Sequence, residues 1–186
     1  MNITETPLKG AYIIEPRIFE DERGYFYESY NQKTFAELTG HDVSFVQDNE
    51  SRSSYGVLRG MHYQLNPHAQ AKLVRVLEGS VLDVIIDIRQ GSPTYGQYFG
   101  IELSAENKKQ LFVPRGFAHG FVTLSERATF FYKCDNYYAP QAEGGVLYND
   151  PAVSIDWKIP QEDMILSPKD KLLKPLAEAP NNFSFT

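Results

Sequence analysis

Two of the four histidines stand in short motifs that surround an imidazole with polar and glycine residues. His62 lies in the segment Gly-Met-His-Tyr-Gln at residues 60–64, and His119 ends the segment Pro-Arg-Gly-Phe-Ala-His at residues 114–119. A neutral imidazole can accept a proton near pH 7 or bind a metal ion. The 12 tyrosines add hydroxyl groups that can exchange a proton. Proton transfer and metal binding are therefore the two chemistries to compare.

These two motifs resemble the paired signatures of the cupin superfamily, whose fold is a jelly-roll β-barrel. In metal-binding cupins the first motif supplies two histidines and a glutamate, and the second supplies another histidine. Here the second histidine position is Gln64, and the glutamate position lies near Ala71 and Lys72. Glutamine is a poor ligand for transition metals, and a protonated lysine is no ligand. Two histidines are fewer than the usual three or four protein ligands, so we expect no metal and no other cofactor.

Ten short segments, in order along the chain, carry a closer resemblance within the same superfamily. They are residues 21–28, 47–51, 57–64, 72–76, 103–108, 114–121, 132–133, 137–140, 149–151 and 167–170. Together they resemble the dTDP-4-dehydrorhamnose 3,5-epimerase family. One such segment would be weak evidence, whereas ten in the family's order span nearly the whole chain. The resemblance implies an isomerase that acts on a nucleotide-linked sugar.

The reaction of that family inverts two carbon centres beside a ketone. The substrate is a dTDP-linked 4-keto-6-deoxyhexose, and the C4 ketone acidifies the protons at C3 and C5 through an enolate. Inversion requires a base on one face, an acid on the opposite face, and a cation or donor beside the oxyanion. The resemblance implies His62 as the base, Asp170 as its orienting partner, and Tyr132 as the acid. It also implies Lys72 as the cation near the C4 oxygen.

A second set of residues is implied for holding the nucleotide. Guanidinium groups suit phosphate oxygens, and Arg23 and Arg59 are the candidates. Gln47 and Asn49 share strand parity, so both amides can face one groove and meet the edge of a thymine. Tyr138 matches a ring that stacks on the base, an interaction worth roughly 1–3 kcal/mol. The resemblance also places around the substrate Phe26, Glu28, His119, Glu143 and Lys169, with Lys72 shared between binding and catalysis.

Short strands separated by turn signals must position these side chains. Strand-like runs are predicted at residues 12–14, 25–30, 45–50, 57–63, 72–77, 81–88, 98–103, 110–113, 120–124 and 128–134. One helix is predicted between a capping Asn31 and Gly40, and residues 166–176 are predicted as turn and short helix. The pattern predicts an all-β fold. With the resemblance, this becomes a cupin-type double-stranded β-helix, or jelly-roll barrel, with a few short peripheral helices and a single domain over residues 1–186.

The first histidine motif poses a geometric problem for this fold. Arg59 and His62 are three residues apart, so a regular strand would point them to opposite faces. Gly60 lies between them and can permit a bulge or sharp twist. We therefore predict an irregular strand that turns both side chains toward one cavity.

The net charge and the hydropathy of the chain limit the kinds of partner that it can bind. The formal net charge is −6, which argues against nucleic-acid binding because phosphate neutralisation needs clustered cations. The apolar runs fall short of the ~18 residues of a membrane helix, and the first residues lack the basic and apolar regions of a secretory signal. We therefore expect a cytoplasmic protein without a membrane partner. The resemblance implies a homodimer with N-terminal strand exchange, in which Arg23 and Glu28 serve the partner's site.

Three alternative functions stay open at this point. The first is a sister enzyme that inverts only C3 or only C5 of a related sugar, although Tyr132 favours the two-centre reaction. The second is a metal-dependent cupin oxygenase, which Gln64 and Lys72 disfavour. The third is a non-catalytic module that binds a sugar nucleotide, which would not need a base, an acid and an oxyanion cation together.

Overall fold

Thirteen β-strands form two large antiparallel sheets and one separate hairpin in the computed structural model, which describes residues 1–185. The strands are β1 (Asn2–Glu5), β2 (Tyr12–Glu15), β3 (Phe19–Asp21), β4 (Gly24–Phe26), β5 (Gln47–Ser54), β6 (Leu58–Gln64), β7 (Lys72–Glu78), β8 (Ser80–Asp87), β9 (Tyr98–Ser104), β10 (Gln110–Val113), β11 (Phe117–Thr123), β12 (Arg127–Cys134) and β13 (Glu143–Gly145). The first sheet has six strands in the order β1-β2-β10-β7-β12-β5, and the second has five in the order β13-β6-β11-β8-β9. Strands β3 and β4 pair only with each other.

The core between the sheets follows from the alternation of side chains along each strand. Val74 and Phe130 of the first sheet belong to one buried cluster with Val81, Ile85 and Phe121 of the second. Successive strand residues point to opposite faces, so every second residue of β7, β8, β11 and β12 faces this interior. The catalytic candidates on these strands share that inward parity, which is why they meet between the sheets.

The outer faces of the sheets are covered by different parts of the chain. Helix α1 (Gln32–Thr39) packs Phe35 against Phe112 of the first sheet, with ring centroids 4.9 Å apart. The carbonyl oxygen of the Asn31 side chain caps α1 by accepting from the Thr34 backbone N–H at 3.1 Å, and Gly40 ends it with a φ of 74°. The C-terminal third of the chain covers the second sheet, where Trp157 and Phe183 enter the core.

The all-β prediction, with two packed sheets and short helices at the periphery, is confirmed. The predicted helix between Asn31 and Gly40 is confirmed as α1, and residues 166–176 contain the short helix α2 (Pro168–Lys171). Two further single turns of 3₁₀ helix occupy Pro140–Ala142 and Gln161–Asp163. Within residues 1–185, no helix combines the length and the apolar character needed to cross a lipid bilayer.

The predicted strand at residues 25–30 is wrong beyond Phe26. After β4 the chain is fixed by single contacts to the first sheet instead of by a strand partner. The Tyr27 hydroxyl accepts from Arg75 at 3.0 Å, and the Ser29 carbonyl accepts from Gln110 at 2.7 Å. Sequence patterns also missed three short strands, β1, β3 and β13.

Candidate active site

A cavity of about 480 Å³ opens where polar residues replace the apolar core between the sheets. A second cavity of about 230 Å³ adjoins it, and the two share His62, Lys72 and Tyr132 in their walls. Both sheets contribute to the first cavity, and the segment at residues 165–170 closes one side. Three of the four predicted catalytic residues thus lie where the two cavities meet, and the fourth, Asp170, also lines the larger one.

His62 is paired with Asp170, as the resemblance implied. The Nε2 atom of His62 lies 2.6 Å from Asp170 Oδ1, across 108 positions of sequence. Burial works to raise the pKa of Asp170, but hydrogen bonds from His62, Ser167 and the Gly60 backbone hold that pKa below its ordinary value. Asp170 therefore stays ionised near neutral pH. An ionised carboxylate can only accept, so Nε2 of His62 is the donor of this hydrogen bond, and the neutral form of the ring has its free lone pair on the other nitrogen.

The irregular strand predicted at Gly60 is confirmed. His119 of β11 faces His62, whereas Phe121 faces Arg59, so two residues of β11 span three residues of β6. The extra residue sits at Gly60, whose φ of 136° is outside the range that side-chain-bearing residues favour. Because of this bulge, both Arg59 and His62 line the larger cavity.

Tyr132 and Lys72 approach from the opposite sheet. Tyr132 lies on β12 and Lys72 on β7, and the Lys72 ammonium is 5.8 Å from the centre of the Tyr132 ring. Burial raises the pKa of the Tyr132 phenol, with Arg59 acting against that change, so the hydroxyl keeps its proton near neutral pH. Burial lowers the pKa of Lys72, while the nearby Asp83 works in the opposite direction.

His119 lies deeper in the larger cavity and is paired with an acid that sequence reasoning missed. Its Nε2 atom contacts Asp83 Oδ2 at 3.0 Å, and the side chain of Asp83 is fully buried. Burial raises the pKa of Asp83, and His119 and Lys72 oppose the change. A signal for Asp83 was available, since it is the one charged residue inside the apolar run at residues 81–86.

The smaller cavity gathers most of the residues implied for the nucleotide. Gln47 and Asn49 both face it from β5, as their parity predicted, and the Gln47 amide donates to Asn49 Oδ1 at 3.0 Å. The Tyr138 hydroxyl donates to Glu143 Oε1 at 3.0 Å, and Glu143 also pairs with Lys169. Arg59 lines the larger cavity, where its Nε–H donates to Ser53 Oγ at 3.1 Å.

Three implied residues lie away from both cavities. Arg23 and Phe26 belong to the β3–β4 hairpin, and Glu28 follows it; none of them lines the two cavities. Arg23 pairs with Asp21 of the same hairpin, and the Arg23 side chain is 85% exposed. A single chain therefore does not bring these residues to His62.

His62, Gln64 and His119 stand where metal-binding cupins carry metal ligands. Over residues 1–185, no group of three or more His, Cys, Asp or Glu side chains converges as a metal-binding cluster would. The two motif histidines are each engaged by a separate carboxylate, Asp170 for His62 and Asp83 for His119. The amide of Gln64 makes three hydrogen bonds to backbone groups, so its polar atoms are already engaged by the protein.

The fold and the site together define a class of protein. It is a two-sheet β-barrel with a histidine on one sheet that pairs with a carboxylate of helix α2, a tyrosine and a lysine on the other sheet, and a polar cavity between the sheets. The family model described as dTDP-4-dehydrorhamnose 3,5-epimerase matches residues 5–178. The chain belongs to the dTDP-4-dehydrorhamnose 3,5-epimerase family.

Individual relatives agree with this assignment. The dTDP-4-dehydrorhamnose 3,5-epimerase of Salmonella typhimurium is 56% identical over 161 residues, which are 87% of this chain and 88% of the relative. A crystal structure of dTDP-4-dehydrorhamnose 3,5-epimerase from Elizabethkingia anophelis matches with a TM-score of 0.93 and 62% identity, over 96% of this chain and 97% of the other. The 3,5-epimerase of Legionella pneumophila, solved in complex with dTDP-4-keto-L-rhamnose, matches with a TM-score of 0.91 and 52% identity, over 95% and 93% of the two chains.

Proposed function

We propose that this protein converts dTDP-4-dehydro-6-deoxy-D-glucose to dTDP-4-dehydro-L-rhamnose by inverting C3 and C5, a step of dTDP-L-rhamnose biosynthesis. The observation that carries the proposal is the opposition of His62 and Tyr132. They stand on different sheets and line the same cavity, so a sugar ring between the sheets would meet a base on one face and an acid on the other. The names of the relatives supply the identity of the sugar nucleotide.

In the proposed mechanism His62 removes the proton from the carbon next to the ketone. The free nitrogen of its ring accepts the proton, and the ionised Asp170 then stabilises the imidazolium that forms. The electron pair of the broken C–H bond moves to the C4 oxygen as an enolate. Lys72, whose charged form the nearby Asp83 favours, is the cation proposed for this oxygen, and a positive charge in a buried site stabilises such an anion strongly.

Tyr132 completes the inversion from the opposite sheet. Its phenol donates a proton to the carbon on the face away from His62, and the enolate collapses back to the ketone. The raised pKa of Tyr132 favours the protonated state that a donor needs. His62 then loses its proton to solvent and Tyr132 regains one from solvent, which restores both groups. The same two steps at the other carbon beside the ketone invert the second centre. Neither step calls for a redox cofactor, since no electrons are gained or lost.

The nucleotide would occupy the smaller cavity and its rim. Gln47 and Asn49 offer amides to the thymine edge, Tyr138 offers a ring for stacking, and Arg59 offers a guanidinium to the diphosphate.

We also propose that residues 1–186 act as one domain, in a cytoplasmic homodimer. In that dimer the exposed β3–β4 hairpin reaches the partner's cavity and delivers Arg23, Phe26 and Glu28 there.

Turnover in deuterated water tests the function. Purified protein is incubated with dTDP-4-keto-6-deoxyglucose, and the product is examined by NMR for deuterium at C3 and C5. We expect label and inversion at both carbons, with the same rate after treatment with a metal chelator. Label at one carbon only would assign the protein to the single-centre enzymes. Activity that disappears with chelator and returns with a metal ion would contradict the metal-free mechanism.

A further inference from the structure

The loop that carries Tyr138 is fixed by side-chain amides over three consecutive residues. Gln64 Nε2 donates to the carbonyl oxygen of Tyr137 at 3.2 Å, and Gln64 Oε1 accepts from the Ala139 N–H at 2.8 Å. Between them, the Tyr138 N–H donates to Gln47 Oε1 at 3.0 Å. The backbone on both sides of the Tyr138 ring is thus held by Gln64, which lies on β6 two residues after His62.

Gln64 has no N–H group left for a ligand. Its second amide hydrogen goes to the carbonyl oxygen of His68 at 2.6 Å, so both donors and the acceptor of the side chain are engaged by backbone groups. The residue is only 5% exposed, although it borders the smaller cavity. A histidine here could offer two ring nitrogens at most, which is too few for these three bonds. The contacts favour a role in holding the loop over a role in touching the substrate.

Tyr138 depends on such support because it is 57% exposed and its ring is not part of the buried core. Ordering a flexible loop when the ligand binds costs free energy. A loop that is already ordered avoids this cost, so the protein binds the ligand more tightly. We infer that Gln64 is a positioning residue that presets the Tyr138 loop for the nucleotide base. The inference rests on the proposed function, in which the Tyr138 ring stacks on the thymine.

The test is the substitution Gln64→Met, which keeps the length of the side chain and removes all three hydrogen bonds. We expect the KM for the sugar nucleotide to rise about tenfold, as for the loss of one to two net hydrogen bonds, while kcat changes less than about twofold. Calorimetric binding of dTDP alone should weaken by the same factor. In a Tyr138→Ala background, adding Gln64→Met should change the KM less than about twofold, because the platform is already lost.

A matched control separates positioning from general destabilisation. Asn181 also holds backbone with its amide, donating to the Ile88 carbonyl at 2.6 Å and accepting from the Phe183 N–H at 2.9 Å, but it borders neither cavity. Asn181→Leu should lower the melting temperature and leave the KM unchanged. If Gln64→Met does not fold, Gln64→Glu keeps the acceptor for Ala139, loses the amide donors, and should raise the KM in the same direction.

The outcomes distinguish failure of this inference from failure of the proposed function. A wild-type KM in the Gln64 variants overturns the inference. The same rise in KM with and without the Tyr138 side chain also overturns it, since Gln64 would then act by another route. A wild-type KM in Tyr138→Ala alone would instead remove Tyr138 from the proposed nucleotide site, and a wild-type protein without turnover would remove the proposed function.

Discussion

At the level of single residues, the surroundings of His62 suit a base and those of Tyr132 suit an acid. His62 shares a short hydrogen bond with a carboxylate whose pKa is lowered, which is the setting of a base that must carry positive charge during the reaction. Tyr132 is buried, and burial raises the pKa of its phenol. Two groups whose environments differ in this way can act as base and acid at the same pH.

Substitution of the base is the first residue-level prediction. His62→Asn should lower deuterium exchange at both C3 and C5 by at least ~10²–10⁴-fold, because a general base is lost and the other imidazole of the cavity, His119, is engaged by Asp83. Asp170→Asn should lower the rate less, since the ring remains and only its orientation and charge support are lost. Binding of dTDP, measured by calorimetry, should stay near the wild-type value in both. Near wild-type exchange in His62→Asn would exclude His62 as the base.

Substitution of the acid should separate exchange from inversion. Tyr132→Phe keeps the ring that packs against the core and removes only the hydroxyl. The variant can still lose a proton to His62 and take a deuteron back from the same side. We expect NMR to show deuterium entering the substrate while little or no inverted product forms. A wild-type yield of inverted product would show that another group donates, and His119, Tyr138 and bound water would be the next candidates.

At the level of the strand, Gly60 decides whether Arg59 and His62 can serve one cavity. A Cβ atom at Gly60 would lie 2.5 Å from the Cα of Gly120 on the paired strand, at a φ that already disfavours side chains. Gly60→Ala should therefore lower the free energy of unfolding by about 1–3 kcal/mol and misplace His62, so that kcat falls as well.

Gly100 of β9 provides the control for that substitution. A Cβ atom there would meet Leu82 Cδ1 at 3.5 Å, an ordinary contact, and its φ is not positive. Gly100→Ala should change the free energy of unfolding by less than about 1 kcal/mol, measured by urea denaturation, with kcat preserved. Equal stability and activity in the two variants would mean that the bulge does not require glycine.

The same strands show which parts of the structure the sequence could predict. Most of the long strands of the barrel are rich in apolar residues, and patterns located these strands to within a few residues. The eight-residue strand β5 has no apolar residue, and the prediction at residues 45–50 missed its second half. Strands β1, β3 and β13 have only three or four residues and few apolar ones, so their pairing depends on neighbours that the local sequence does not reveal. Residues 27–30 look like a strand because of their aromatic content, yet single side-chain contacts hold them.

The candidate site also has features that the sequence could predict and features that it could not. The bulge at Gly60 followed from the three-residue spacing of Arg59 and His62, which is local information. The pairing of His62 with Asp170 spans 108 positions and came only from resemblance to a family. Asp83 could have been found from its charge within an apolar strand. The triple hydrogen bonding of Gln64 needed the structure, because its three partners lie in two loops.

At the level of the whole molecule, the β3–β4 hairpin does not fit an isolated chain. Phe19, Tyr25 and Phe26 are 51%, 60% and 69% exposed, and the hairpin pairs with neither large sheet. Exposed aromatic clusters of this kind mark surfaces that another protein covers. A second copy of the chain is the partner that would also explain why Arg23 and Glu28 lie away from the cavity of their own chain. We therefore expect a dimer by sedimentation in solution.

Complementation between two inactive variants tests whether the hairpin serves the partner's site. One subunit carries Arg23→Ala and the other carries His62→Ala, each with its own affinity tag. The two subunits are co-expressed, and the mixed dimer is purified by using both tags in turn. One of its two sites then combines an intact His62 with the intact Arg23 of the other subunit, so activity should reach about half of wild type, against very little in either homodimer. The control dimer combines His62→Ala with Tyr132→Phe, two residues of the same cavity, and should form no inverted product because each site lacks one of them. A mixed Arg23/His62 dimer as inactive as this control would show that Arg23 does not act across the interface.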